Sequence, residues 1–310
     1  MRAKSPGKLV LSGAYAILRG APALVTAVDR YVVASDNERA SFETPEVAAA
    51  LRLLQLDAPH PAFSADELRQ DGRKLGLGSS AAICAASVAL LQHRGSSSPE
   101  LPSDADLAHS IYDITLRAHR EAQAGGSGID VAAACFGGTL SATLEHSDGT
   151  PKLHVEPVSL PHGLTIETWS SPIAATTSHF VRKVFELEQQ QAALFSRLMG
   201  AQIEASLAAL TATLNDDLNG YIHALRSQYL ALCALGDAAA VPIVLPELRT
   251  LARTLAEDEC FIPSGAGGGD VTLFISNRPS SAAFRAQAQA LQFNLVPLRL
   301  AARGVHLLRD

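Results

Sequence analysis

Residues 76–82 read Gly76-Leu77-Gly78-Ser79-Ser80-Ala81-Ala82, and an apolar, alanine-rich run to Leu91 follows. Glycines let the backbone approach an anion closely and aim several N–H groups at it. A helix beginning at Ser79 or Ser80 adds its unpaired N–H groups and the positive end of its dipole. The two serines offer hydroxyl oxygens to a phosphate or a metal ion. The chemistry this pattern suits is the holding of a polyphosphate. The plainer alternative is a tight turn with a serine N-cap. A dinucleotide fingerprint is disfavoured, because it needs a buried strand just before the glycines and residues 66–74 are mostly polar and charged. The Gly-x-x-x-x-Gly-Lys-Ser/Thr loop is absent.

Two further glycine clusters strengthen the anion-site reading. Gly125-Gly126-Ser127-Gly128-Ile129-Asp130 precedes a small-residue stretch, and Ser264-Gly265-Ala266-Gly267-Gly268-Gly269-Asp270 precedes the strand-like 271–275. Glycine carries an entropy penalty, so dense clusters point to unusual dihedrals or close backbone approach. Three clusters, two closed by an aspartate, fit one shared anion site better than three plain loops.

The order and wording of these clusters resemble the GHMP kinase superfamily and, within it, the phosphomevalonate kinases. The first motif is Pro6-Gly7-Lys8-Leu9-Val10-Leu11-Ser12-Gly13, running on to Tyr15-Ala16-Ile17-Leu18. The second is Lys74-Leu75-Gly76-Leu77-Gly78-Ser79-Ser80-Ala81-Ala82, and the third is Pro263 to Asp270. Asp71-Gly72-Arg73-Lys74 before the second motif, Ala27 to Tyr31, and His119-Arg120 with Gln123 are similar to the phosphomevalonate kinase branch. The chain departs from the common pattern at Ala14, where related kinases often carry glutamate. It departs again at His119, eleven residues before Asp130, where mevalonate kinases place a magnesium-binding glutamate.

The resemblance implies an α+β fold of two lobes, 1–146 for nucleotide binding and 147–310, with the active site in the cleft between them. It implies ATP and Mg2+, and phosphoryl transfer to mevalonate 5-phosphate giving the diphosphate, a step of isoprenoid precursor synthesis. The alternatives are mevalonate kinase, another small-molecule GHMP kinase, or a non-catalytic metabolite-binding relative. That last class typically loses the aspartate or the glycine loops, which are all present here.

Site residues follow from the same resemblance. Asp130 is the catalytic base or orienter of the attacking oxygen; a helix N-cap is its plainer role. Lys8 offsets charge in the transition state, against the usual fate of lysine as a surface residue. Lys74, Gly76, Leu77, Gly78, Ser79, Ser80 and Ala81 hold the ATP phosphates. Tyr15, Ser127, Gly128, Arg182, Lys183, Ser264, Gly265, Ala266 and Gly267 serve the acceptor. Arg120, Arg182 and Lys183 are candidate phosphate cations, the planar arginine fork being suited to phosphate; solvated helix charges are the alternative. Ser80 and Glu121 are the candidate magnesium ligands, hydroxyl and carboxylate oxygen being what magnesium prefers. His60, His119 and His179 lack ligand spacing and read as surface or capping residues.

Composition sets the outer limits. The 310 residues carry a formal net charge of −6 and a 47% apolar fraction. That allows a substantial core and argues against non-specific nucleic-acid binding, which needs a basic surface. Cys84, Cys135, Cys233 and Cys260 are widely spaced, so buried free thiols in a reducing compartment are expected. The longest apolar stretch, 81–91, is too short for a bilayer, and no signal-like start is present. A cytoplasmic protein without membrane partners is expected, as monomer or homodimer.

The elements that must position these residues alternate irregularly, which suggests α+β layers. Strands are expected at 9–11, 23–28, 31–34, 139–144, 153–158, 164–170, 271–276 and 295–300. Helices are expected at 45–56, 80–92 stopped by the 95–98 cluster, 103–123, 219–235, 246–257 and 282–291. A mostly helical stretch over 178–214 is expected to break around Gly200, and a turn at 147–149.

Overall fold

The computed structural model describes residues 1–40, 42–94, 100–146, 151–174 and 177–309. The expected helix stop at 95–98 and turn at 147–149 lie outside those residues. In chain order, strands β1 (Arg2–Ser12) and β2 (Pro22–Arg39) lead to helix α1 (Pro45–Leu54) and the short strands β3 (Pro61–Ser64), β4 (Arg69–Gln70) and β5 (Arg73–Lys74). Helices α2 (Ser79–His93), α3 (Asp104–Ala122) and α4 (Ile129–Phe136) follow, then strands β6 (Thr139–Glu145), β7 (Lys152–Pro157) and β8 (Thr165–Ser170). Helices α5 (Thr177–Gln190), α6 (Ala192–Leu214), α7 (Leu218–Ala238) and α8 (Pro246–Ala252) come next. The described chain closes with β9 (Glu259–Pro263), β10 (Val271–Ser276), α9 (Ala282–Ala290), β11 (Asn294–Val296) and β12 (His306–Leu308). The fold is α+β.

Backbone contacts divide the chain into two compact units. One gathers Met1–Leu9, Val25–Leu140 and Arg299–Asp310; the other gathers Val10–Leu24 and Ser141–Leu298.

In the first unit, β1 pairs antiparallel with β12 (Lys4↔His306), and β2 pairs with β3 (Val33↔Ser64). Helices α1 to α4 pack on one another around α2. Every residue of α2 from Ala81 to Leu91 is buried, as expected of a helix apolar on all sides. Its alanines, serine and cysteine keep the neighbours close. Helix starts follow local chemistry. Thr44 accepts from Val47 N at 3.4 Å with Pro45 at the first helical position, and Ser103 accepts from Asp106 N at 3.2 Å. Helices α2 and α4 differ: their N-caps are Gly78 (φ 77) and Gly128 (φ 84), and no side chain caps either. The first N–H groups of α2 are left open, while in α4 Val131 N is taken by the Asp130 carboxylate.

The second unit holds the antiparallel sheet β11-β8-β10-β9, in register Leu273↔Thr168 and Leu273↔Ile262. Trp169, Phe261 and Phe274 from this sheet meet Phe284 of α9, with ring centroids 5.8, 5.2 and 4.9 Å apart. Antiparallel α6 and α7 form a long helical hairpin, and Asp217 caps α7 through Gly220 N at 2.9 Å.

The structure departs from sequence expectation at several elements. Strands expected at 23–28 and 31–34 are one strand, because Asp29 bonds Arg299 N at 2.7 Å and the polar pair Asp29-Arg30 does not break the ladder. The helical break falls at Gln191 (φ −143), while Gly200 sits inside α6. The strand expected at 295–300 covers only Asn294–Val296, since Pro297 lacks the N–H a ladder needs. The small-residue stretch after Asp130, for which no element was expected beyond a helix N-cap at Asp130, is helix α4.

Candidate functional site

The first unit builds its polar centre where α2, α3 and α4 meet β1. Strand β1 is tied to the loop before α2 by Lys8 N donating to Leu77 O at 2.9 Å. The Lys8 ammonium donates to Gly76 O at 3.1 Å, so the lysine lies along the loop. Gly78 is where the loop turns into α2. A Cβ there would sit 3.1 Å from Lys8 Cγ and Cε and 3.7 Å from Asp130 Cβ. A side chain there would press on Lys8, and only glycine takes φ 77 without strain. Ser79, Ser80 and Ala81 are the first three residues of α2. Lys74 is exposed in the β4–β5 hairpin, opposite Arg69.

Asp130 stands at the second position of α4, not at its N-cap. Its Oδ1 accepts from Val131 N at 3.0 Å, and the carboxylate gains from the helix's positive end. Its Oδ2 lies 3.6 Å from His119 Nε2. That same nitrogen lies 3.1 Å from Ser80 Oγ. His119 is only 6% exposed. The expectation that it is a surface or capping residue is therefore wrong: helical spacing puts it on the buried stripe Ala108, Ile111, Thr115, His119 of α3. The spacing was readable in the sequence. Arg120 Nη2 donates to Ser127 O at 3.1 Å and so braces the loop that delivers Gly128 and Asp130. Glu121, two residues on from His119, lies on another face of α3 and pairs with Arg52 at 2.5 Å.

The second unit gathers Tyr15 and the third glycine cluster. Tyr15 holds the strained pair φ 62, ψ −45 and donates its hydroxyl to Ala266 O at 2.6 Å; burial pushes its phenol pKa up. Ser264 Oγ both accepts from Val10 N and donates to Val10 O, each at 3.0 Å, and so pins the strand to the loop. Gly265 and Gly267 take left-handed φ values of 90° and 75°. A Cβ on Gly268 would fall 2.2 Å from Phe180 Cζ, so this glycine makes room for α5. Arg182 and Lys183 follow on that helix. Glu186 pairs with both, at 3.6 Å to Arg182 Nε and 2.6 Å to Lys183 Nζ, and these neighbours hold its pKa below the usual carboxylate range.

The structure thus brings Lys8, Gly76 to Ala81, Ser127, Gly128 and Asp130 together in one unit. Tyr15 and Ser264 to Gly267 come together in the other, with Arg182 and Lys183 on the helix packed at Gly268.

Residues 64–138, which span the phosphate loop and Asp130, match the family model of the GHMP kinases N terminal domain. The chain has the GHMP kinase fold. It is 26% identical to the phosphomevalonate kinase of Streptomyces sp. strain CL190, over 89% of this chain and 90% of that protein. Among solved structures it is similar to a Lin0012 protein from Listeria innocua, with a TM-score of 0.78, 20% identity and 98% and 99% of the two chains covered. It is also similar to Streptococcus pneumoniae phosphomevalonate kinase in complex with phosphomevalonate and AMPPNP. There the TM-score is 0.72, at 18% identity, with 97% of this chain and 99% of the other covered.

Among the described residues no group of three or more His, Cys, Asp or Glu side chains gathers as a metal site. No described helix is long and apolar enough to cross a membrane. Cys84, Cys135 and Cys260 are buried and free, Cys233 is half-buried and free, and burial pushes the Cys135 thiol up to about 12. They are structural thiols, not nucleophiles.

Proposed function

We propose that this protein is an ATP-dependent kinase that phosphorylates the phosphate of mevalonate 5-phosphate, releasing ADP and mevalonate 5-diphosphate. The observation that carries the reading is the uncapped α2 N-terminus beside Lys8 and Asp130; α2 and Asp130 lie in the region similar to the GHMP kinases N terminal domain. The substrate rests on the phosphomevalonate kinase relative.

Phosphoryl transfer needs positioning and charge neutralisation more than covalent chemistry by the protein. The N–H groups of Ser79, Ser80 and Ala81, with the helix dipole, bind the nucleotide phosphates. Lys8 offsets the charge that spreads over the phosphoryl oxygens in the transition state. The acceptor is a phosphate monoester whose second pKa is about 6, so near neutral pH its oxygen is already a nucleophile. Asp130 then orients that oxygen and takes a proton only from the monoanionic fraction. An acceptor oxygen attacks the γ-phosphorus, the bond from γ-phosphorus to the bridging oxygen breaks, and the electron pair leaves on ADP. Magnesium typically uses one or two protein oxygens together with substrate phosphates and waters. The Ser80 hydroxyl and Asp130 carboxylate fit that need, and the ion would supply charge neutralisation. Arg182 and Lys183 are the proposed cations for the acceptor's phosphate, and Tyr15 and residues 264–267 the proposed acceptor loop.

The test is product analysis. Purified protein with ATP, Mg2+ and mevalonate 5-phosphate should give ADP and a new diphosphate in the phosphorus spectrum in equal amounts. ADP without a phosphorylated acceptor would mean hydrolysis only and would sink the assignment.

A further inference from the structure

One buried polar group of the first unit has no part in the scheme above. His119 Nε2 lies 3.1 Å from Ser80 Oγ on α2 and 3.6 Å from Asp130 Oδ2 on α4. Side chains from three helices converge on one ring nitrogen. A carboxylate oxygen facing that nitrogen favours the tautomer that carries its proton there, since a bare lone pair would face negative charge. The Nε2–H then donates to Ser80 Oγ and turns its positive end towards Asp130. Asp130 is held at its other oxygen by Val131 N at 3.0 Å. The carboxylate is thus fixed from its own helix on one side and from α3 on the other.

We infer that His119 is the positioning residue of this centre: it fixes the Ser80 hydroxyl and the Asp130 carboxylate relative to each other. This rests on the reading that Ser80 serves the nucleotide and Asp130 the acceptor. What the role needs is a hydrogen-bond donor at the Nε2 point, not a charge. Glutamine can place its amide nitrogen near that point. Asparagine, one methylene shorter, reaches only near the Nδ1 point.

The test compares His119→Gln with His119→Asn, two polar variants of similar fold risk. His119→Asn should lower kcat by about 10- to 100-fold, the scale of a 1 Å misplacement, with KM for ATP and acceptor within about threefold, while His119→Gln keeps kcat within about threefold. His119→Asn/Asp130→Asn should be no slower than Asp130→Asn, because the histidine acts through the aspartate. Equal kcat for the Gln and Asn variants, or multiplicative losses in the double variant, overturns the inference. Nitrogen-15 spectra of histidine-labelled wild-type protein give a readout independent of turnover. His119 should be the Nε2–H tautomer, with a signal that moves in Ser80→Ala and Asp130→Asn. A bare Nε2 overturns the inference even if the kinase is inactive on mevalonate 5-phosphate. A wild-type protein that fails to turn over yet shows the Nε2–H tautomer puts the fault in the substrate assignment instead.

Discussion

Gly78→Ala separates the backbone strain of the phosphate loop from its chemistry. Gly78 sits at φ 77, ψ 40, where an L-residue costs about 1–2 kcal/mol. The added methyl would also lie 3.1 Å from Lys8 Cγ and Cε. That is close enough to push a flexible side chain by a few tenths of an ångström, and the Lys8 ammonium is the group that moves, off its 3.1 Å bond to Gly76 O. The fold should survive, with Tm lower by about 2–6 °C. Turnover should fall by about tenfold or more, because Lys8 no longer meets the transferring phosphoryl group in register. Gly72→Ala is the matched control. Gly72 has φ 76 in the β4–β5 hairpin and open space where its Cβ would be, so it carries the same backbone penalty without the contact. Differential scanning calorimetry with a coupled ADP-release assay reads both quantities. Similar Tm losses are expected, with a kcat loss in Gly78→Ala alone. If Gly78→Ala turns over like wild type, or Gly72→Ala loses as much activity, the loop does not work through Lys8.

Asp130→Asn should keep the fold and nucleotide affinity by calorimetry while kcat falls about 100-fold or more; near-normal turnover of the folded variant would remove Asp130 from the chemistry. Arg182→Ala should weaken acceptor binding about tenfold to a hundredfold, from 1.5–3 kcal/mol per charge-assisted bond at 1.4 kcal/mol per decade, and leave ATP affinity unchanged. Glu186 pairs with both Arg182 and Lys183, so Glu186→Gln should lower the acceptor KM; a raised KM would show that the carboxylate organises the cations instead. Acid stability should depend on Asp104, which Arg303 bonds at 2.7 Å, holding its pKa below the usual carboxylate range. A depressed folded pKa stabilises above the unfolded value, about 3.9, and that stability is lost as pH falls through the lower folded value. Asp104→Asn should therefore flatten the fall in Tm below about pH 4, and an unchanged acid profile would contradict it.

Much of the first unit's site was legible because its signals are local. The glycines at 76 and 78, the serines after them and the apolar run to Leu91 sufficed to place the start of α2. The Ser103 cap likewise marked α3. What stayed hidden is long-range. His119 meets Ser80 and Asp130 only once α2, α3 and α4 pack. Ser264 looked like a substrate ligand, yet both hydrogen bonds found for its hydroxyl go to the Val10 backbone, 254 positions away in the chain. Strand β12 is three residues long and exists because it pairs with β1 at the other end of the sequence. Helix α4 was foreshadowed only by the plainer reading of Asp130 as a helix N-cap; the cap is Gly128, and Asp130 stands at the second helical position.

The central claim is that the acceptor already carries a phosphate. The most direct measurement offers purified enzyme equal concentrations of mevalonate and mevalonate 5-phosphate in one vessel with ATP and Mg2+, and follows both products over time. Mevalonate 5-diphosphate should accumulate while mevalonate is left untouched, with kcat/KM favouring the phosphorylated acceptor by about a hundredfold or more, two decades at 1.4 kcal/mol each. Rapid conversion of mevalonate with none of the 5-phosphate consumed would contradict it.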